Sequence, residues 1–107
     1  MGITQEIIRD VARTIVEHVQ PEKVVLFGSC ARGNLTADSD LDLLVIKESE
    51  LRRDRRAQEI YRLFSRRQFP LDIVVYTPDE VAECLKTDGS FVKDILEHGR
   101  ILYDRAA

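Results

Sequence analysis

The chain has 107 residues, 44% of them hydrophobic, and carries 16 Lys+Arg against 19 Asp+Glu for a formal charge of -3. That length predicts a single domain, 1–107, with one core and no room for a second lobe. The near balance of charge argues against a general nucleic-acid binder or a membrane-surface protein, so any electrostatic function must be local.

The N-terminal stretch carries Glu6, Arg9, Asp10 and Arg13, which neither a signal peptide nor a membrane span tolerates, and the expectation is a cytoplasmic protein with no membrane contact. From Ile3 to Val19 the apolar residues recur at three and four, predicting a first helix ended by Pro21. "KVVLF" (23–27) is a short, continuously apolar run and reads as a buried strand stopped by Gly28. "SCARG" has room for one helical turn with Ser29 as N-cap and Gly33 as exit, and the loop "NLTADS" (34–39) follows. "DLDLLVI" (40–46) is a second strand, "LRRDRRAQEIYRLFSRR" (51–67) a second long helix, and "FPLDIVVY" (69–76) a third strand. Pro78 opens a further helix, "SFVKDILEHG" is a last helix capped by Gly99, and "RILYD" is a small edge strand.

This order predicts an α/β fold, a small mixed β-sheet flanked by α-helices. The connection between the first two strands is too short for a parallel crossover and predicts an antiparallel pair, so Gly28 and Asp40 meet at one rim. The helix between the second and third strands makes those two parallel and brings Asp72 to the same rim. Cys30 and Cys84 are too few for a disulfide framework and are read as reduced thiols.

Asp40 and Asp42 alternate with Leu41, so they point the same way about 6–7 Å apart, while Leu41 turns to the opposite face. Three carboxylates at the rim of an apolar sheet repel one another and resist desolvation. Mg²⁺, which takes oxygen ligands and shares carboxylates with substrate phosphates, resolves that conflict better than zinc. An isolated Asp-x-Asp is more often a solvated turn and an exposed strand position. Here it follows a Gly-Ser turn whose backbone N–H groups suit an anion, with Ser29 adding a hydroxyl and Arg32 placed to face the same anion. A phosphate grip and a metal grip on one rim are what nucleoside triphosphate chemistry requires.

Gly28-Ser29, ten residues, then Asp40-Leu41-Asp42 resembles the signature of the DNA polymerase beta-like nucleotidyltransferase superfamily, with Asp72 in the place of its third carboxylate. The words "GSCARG", "SDLDLLV" and "LDIVVY" most resemble the minimal nucleotidyltransferases found beside HEPN-domain toxins. The resemblance implies the polymerase-beta-like fold, metal ligation by Asp40, Asp42 and Asp72, and Asp72 as base for the incoming hydroxyl. It also implies triphosphate binding by Gly28, Ser29, Arg32 and Ser39, two Mg²⁺ ions with the nucleotide bound, and ATP as substrate. Cys30 departs from the family, where many members carry arginine, which would lower nucleotide affinity or change base preference if that arginine binds nucleotide.

Larger enzymes with this core append a second domain for the acceptor, so a partner must present it here. The resemblance implies a HEPN-type toxin silenced by AMP on a tyrosine; a second copy of the chain could also close the cleft. Two other functions stay open: an antitoxin that works by occlusion without catalysis, and a nucleotidyltransferase for a small molecule such as an aminoglycoside. The arginines of 51–67 (Arg52, Arg53, Arg55, Arg56, Arg62, Arg66 and Arg67) read as a solvated face partly offset by Asp54 and Glu59, or as a dock for an acidic partner, with Leu51, Ile60, Leu63 and Phe64 toward the core. His18 and His98 fall at helix ends beside the C-terminal dipole, and Tyr61, Tyr76 and Tyr103 read as core or interface aromatics.

Overall fold

Thr4 starts the first helix: its hydroxyl accepts the Ile7 N–H at 3.1 Å, supplying one of the bonds that a helix N-terminus lacks. In the computed structural model, which describes residues 2–33, 35, 39–67 and 69–107, helix α1 (Gln5–Val19) buries Ile8, Val11, Ala12 and Ile15. It stops at Gln20, whose φ of 50° is left-handed, before the buried Pro21. The helix therefore begins two residues later than its apolar stripe, and Ile3 joins the core from the chain before it.

The strands are β1 (Lys23–Phe27), β2 (Leu41–Ile46), β3 (Leu71–Tyr76) and β4 (Arg100–Asp104), in the order β3-β2-β1-β4. β1 and β2 are antiparallel, with Phe27 opposite Asp42, and β2 and β3 are parallel, with Asp42 opposite Asp72. Both orientations follow the lengths of the connections, and β4 lies at the edge, antiparallel to β1. The odd-numbered residues of β2 and β3 (Leu41, Leu43, Val45, Leu71, Ile73 and Val75) pack with α1. Leu44, Ile46, Val74 and Tyr76 pack on the other face with Val81, Val92 and Ile95 from α4 (Pro78–Leu85) and α5 (Phe91–His98). Asp42 and Asp72 continue that second row beyond the end of its apolar part.

Thr77 and Glu80 close a reciprocal capping box on α4, with Pro78 in its first turn. Ser90 caps α5 by accepting from the Lys93 N–H at 3.1 Å. Gly99 ends α5 with the backbone pressed on β1: a Cβ there would stand 2.7 Å from the Leu26 carbonyl oxygen.

The long helix expected over 51–67 is two short ones, α2 (Arg53–Arg56) and α3 (Gln58–Leu63), broken at Ala57. Leu51 is 51% exposed and is not a core residue, whereas Ile60 is buried as expected. Arg56 is the larger surprise, only 9% exposed. Its guanidinium donates to the Glu80 carboxylate, to the Leu51 carbonyl at 2.8 Å and to the Val75 carbonyl at 3.3 Å. Arg53 also pairs with Glu80 and lies 4.3 Å over the Tyr76 ring. This stretch is thus a tether to β3 and α4 in its first part, and Arg55, Arg62 and Arg66 remain exposed. No helix among the described residues is long and apolar enough to cross a membrane.

Candidate active site

β1 ends at Phe27, and Gly28 follows with a φ of +75°, a conformation that costs any residue with a Cβ. Space forbids one as well: a Cβ on Gly28 would run into the carboxylate of Asp42 across the strand pair. The glycine and the aspartate are therefore one feature, since the missing side chain is the room in which the carboxylate sits. Gly28→Ala is expected to destabilise the protein by about 1–2 kcal/mol, the cost of the left-handed backbone, and to displace Asp42. Thermal unfolding checks this, and an unchanged melting temperature would overturn it.

The segment after Gly28 forms no α-helix. It is a run of three tight turns, with Ala31, Arg32 and Gly33 N–H groups donating to the carbonyls of Gly28, Ser29 and Cys30. The N–H groups of Ser29 and Cys30 precede the first of these internal donors. Of the following loop (34–39), Asn34, Thr36, Ala37 and Asp38 lie outside the described residues. Ser39 is buried next to Asp40, whereas Arg32 is exposed.

Asp42 and Asp72 are Cα partners on parallel strands, and Asp40 sits two residues before Asp42 with the buried Leu41 between them. The Asp42 carboxyl is pushed above its usual range, first by burial and then by the charges of Asp72 and Asp40. The charges of the two other aspartates thus bear on the one held on the inner strand. Asp40 and Asp72 are themselves exposed. Among the described residues no group of three or more His, Cys, Asp or Glu side chains is gathered to hold an ion unaided. An all-carboxylate donor set that is open to water nevertheless fits Mg²⁺, which keeps several waters and takes part of its shell from phosphate.

Cys30 stands out in the sequence only for what it replaces. Its side chain is fully buried in the core on the α1 side of the sheet, and its thiol donates to the Asp40 carbonyl at 3.1 Å. Burial and the charges of Asp42 and Asp40 push this thiol above its ordinary pKa. Position 30 ties the turn after β1 to the start of β2. Cys84 is likewise a free thiol.

One group of residues at the site was not anticipated. A cavity of about 220 Å³ shares Gly28 and Arg32 with the turn, and its other walls include Phe27, Phe91, Asp94 and His98. Phe27 and Phe91 meet edge to face with ring centroids 5.5 Å apart. Strand alternation places Phe27 on the Asp42 side of the sheet, but nothing in the local sequence marks α5 as its neighbour. His98 hydrogen-bonds the Asp94 carbonyl and lies 3.2 Å from its carboxylate, at the helix end where the sequence puts it.

The chain is similar to known proteins. Residues 8–102 match the family described as "Nucleotidyltransferase domain". Two Methanocaldococcus jannaschii proteins bear the name "Putative protein adenylyltransferase". One is 31% identical over 84 residues, 77% of this chain and 78% of the relative. The other is 29% identical over 97 residues, 91% of this chain and 92% of the relative. Among solved structures, a "putative nucleotidyltransferase" from Sulfolobus solfataricus superposes with a TM-score of 0.60 at 25% identity, covering 92% of this chain and 81% of that one. A toxin-antitoxin structure with AMP-PNP superposes at 0.61 with 19% identity, covering 90% and 73%, a likeness of fold. With nearly its whole length matched and the Gly28–Asp42–Asp72 rim in place, the chain belongs to the nucleotidyltransferase domain family.

Proposed function

We propose that the protein, acting as one domain in the cytoplasm, transfers AMP from ATP to a tyrosine hydroxyl of a HEPN-type toxin and thereby serves as its antitoxin. The observation that carries the catalytic part is the register that sets Asp42 beside Asp72 and against the side-chain-free Gly28. Asp40, Asp42 and Asp72 would hold Mg²⁺, and Gly28, Ser29 and Arg32, with Ser39 beside Asp40, would position the triphosphate. Bound Mg²⁺ supplies charge neutralisation at the α-phosphate and on the leaving pyrophosphate. The acceptor oxygen forms a bond to the α-phosphorus, the bond to the bridging oxygen breaks, and pyrophosphate leaves. The hydroxyl proton passes to the Asp72 carboxylate, which is exposed at the rim where an acceptor can reach it.

The choice of a protein acceptor is supported by the names of the two relatives. The toxin partner and the tyrosine rest on the resemblance carried by "GSCARG" and "SDLDLLV". The fold that the chain shares with a toxin-antitoxin protein accommodates that reading without choosing a target.

The test is transfer from α-labelled ATP, GTP, CTP and UTP to the product of the neighbouring gene, with and without EDTA. Label from ATP on a tyrosine of that partner, abolished by EDTA, is the expected result. A stable complex that carries no label from any nucleotide would replace transfer with occlusion. Label only on an added aminoglycoside would replace the protein acceptor with a small molecule.

A further inference from the structure

The cavity between the Gly28 turn and α5 shares only Gly28 and Arg32 with the transfer as described, and it opens from the residue that abuts Asp42. Its aromatic wall is unusual for this surface. Phe91 is 51% exposed, one of few large apolar side chains left open, and it is held edge-on by Phe27, so one ring steadies the other. Arg32 on one side and the Asp94–His98 pair on the other give the cavity polar margins.

We propose that this cavity is the nucleobase subsite, with the base of the nucleoside triphosphate lying against Phe91 while the Gly28–Ser29 turn holds its phosphates. The inference rests on the nucleotidyltransfer reading above and adds to it where the base goes. Two considerations select the base as occupant. The cavity shares Gly28 and Arg32 with the phosphate grip, so a nucleotide held there has its ribose and base within reach of Phe91. An aromatic wall with polar margins suits a flat ring whose edges carry hydrogen-bonding groups, and base–aromatic stacking contributes substantially to nucleotide affinity.

The experiment compares Mg²⁺-dependent binding of ATP and of inorganic tripolyphosphate, which has the phosphates without the base, to the full chain and to Phe91→Ala and Phe91→Tyr. The parent is expected to bind ATP at least 10-fold more tightly than tripolyphosphate. Phe91→Ala should remove most of that preference without changing tripolyphosphate affinity, and Phe91→Tyr, which keeps the ring, should retain it. Phe91 is exposed, so unchanged tripolyphosphate binding also certifies the fold of the variant. If Phe91→Ala leaves ATP affinity intact while Asp42→Asn abolishes it, the subsite is wrong and the nucleotidyltransfer reading stands. If Phe91→Ala leaves ATP affinity intact and impairs only transfer to the protein partner, the cavity belongs to the acceptor and the proposal falls. A parent chain that binds neither ligand overturns both readings together.

Discussion

Asp42→Asn lowers nucleotidyl transfer by about 100-fold or more, the range typical of removing one group that stabilises transition-state charge, while the melting temperature in EDTA stays at or above that of the parent. The two halves of this expectation come from the same facts. Asp42 is held on the inner strand β2, between β1 and β3, opposite Asp72 and against Gly28. The amide keeps the shape that fills this space but loses the charge that a divalent cation needs.

In the metal-free protein that charge is a burden. Burial and the neighbouring carboxylates raise the folded-state pKa of Asp42, so the folded chain holds this proton more tightly than the unfolded chain does. Stability linked to Asp42 is then greatest when it is protonated. It falls as the pH rises from the ordinary carboxylate range through the raised folded value. The amide in Asp42→Asn does not titrate, so the stability of that variant should lack this decline. Thermal unfolding against pH in EDTA, beside the transfer rate in Mg²⁺, measures both. A variant that loses activity and also melts several degrees below the parent would recast Asp42 as structural.

Arg56→Ala is expected to cost about 2–3 kcal/mol, the scale of hydrogen bonds from a charged group, which is roughly a 10–20 °C fall in Tm for a domain of this size. The guanidinium joins three segments: the Leu51 carbonyl before α2, the Val75 carbonyl of β3 and the Glu80 carboxylate of α4. Glu80 in turn accepts the Thr77 N–H at 2.9 Å in the capping box. Truncation takes a donor from a strand carbonyl and the main partner from a half-buried carboxylate together, leaving Glu80 only Arg53 and the Thr77 N–H. The hydrogen bond from Arg56 is the main reason that the Glu80 pKa is lowered from 4.5 to about 2.

The sign is opposite to that of Asp42. A depressed carboxylate contributes stability that is present above its unfolded value and is lost as the pH falls through the folded one. The parent should therefore lose this contribution between about pH 4.5 and 2, and Arg56→Ala should show a shallower acid limb. A parallel acid limb in the two proteins would remove the pair from the account of stability. Transfer by Arg56→Ala, measured well below its Tm, should stay within a few-fold of the parent, because Arg56 reaches β3 at Val75 and not at Asp72.

Much of this was legible in the sequence. Strands such as "KVVLF" and "DLDLLVI" are bounded by turn residues, and the spacing between them fixes their antiparallel pairing, which brings Gly28 to Asp42. The break in the helix expected over 51–67 was not legible, because charged residues at helical spacing look alike whether solvated or turned inward. What breaks the helix at Ala57 is tertiary: Arg56 finds partners on β3 and α4 that lie some twenty residues away. Phe91 stayed hidden for a related reason. Its apolar neighbour Phe27 and the Gly28 turn lie more than sixty residues earlier, and α5 alone reads as an ordinary amphipathic helix with one ring too many on its open side.

β3 is an edge strand, and edges invite other strands to pair with them. On its outer side, however, the Ile73 N–H donates to the Tyr61 hydroxyl at 2.8 Å and the Val75 carbonyl accepts from Arg56. The side of the sheet nearest Asp72 is thereby stoppered by side chains from α2 and α3, and the other edge, β4, lies two strands away from Asp42. A partner that extended the sheet would thus leave its acceptor far from the reacting phosphate. An acceptor that reaches Asp72 is therefore expected over the rim of the sheet and not by pairing with either edge.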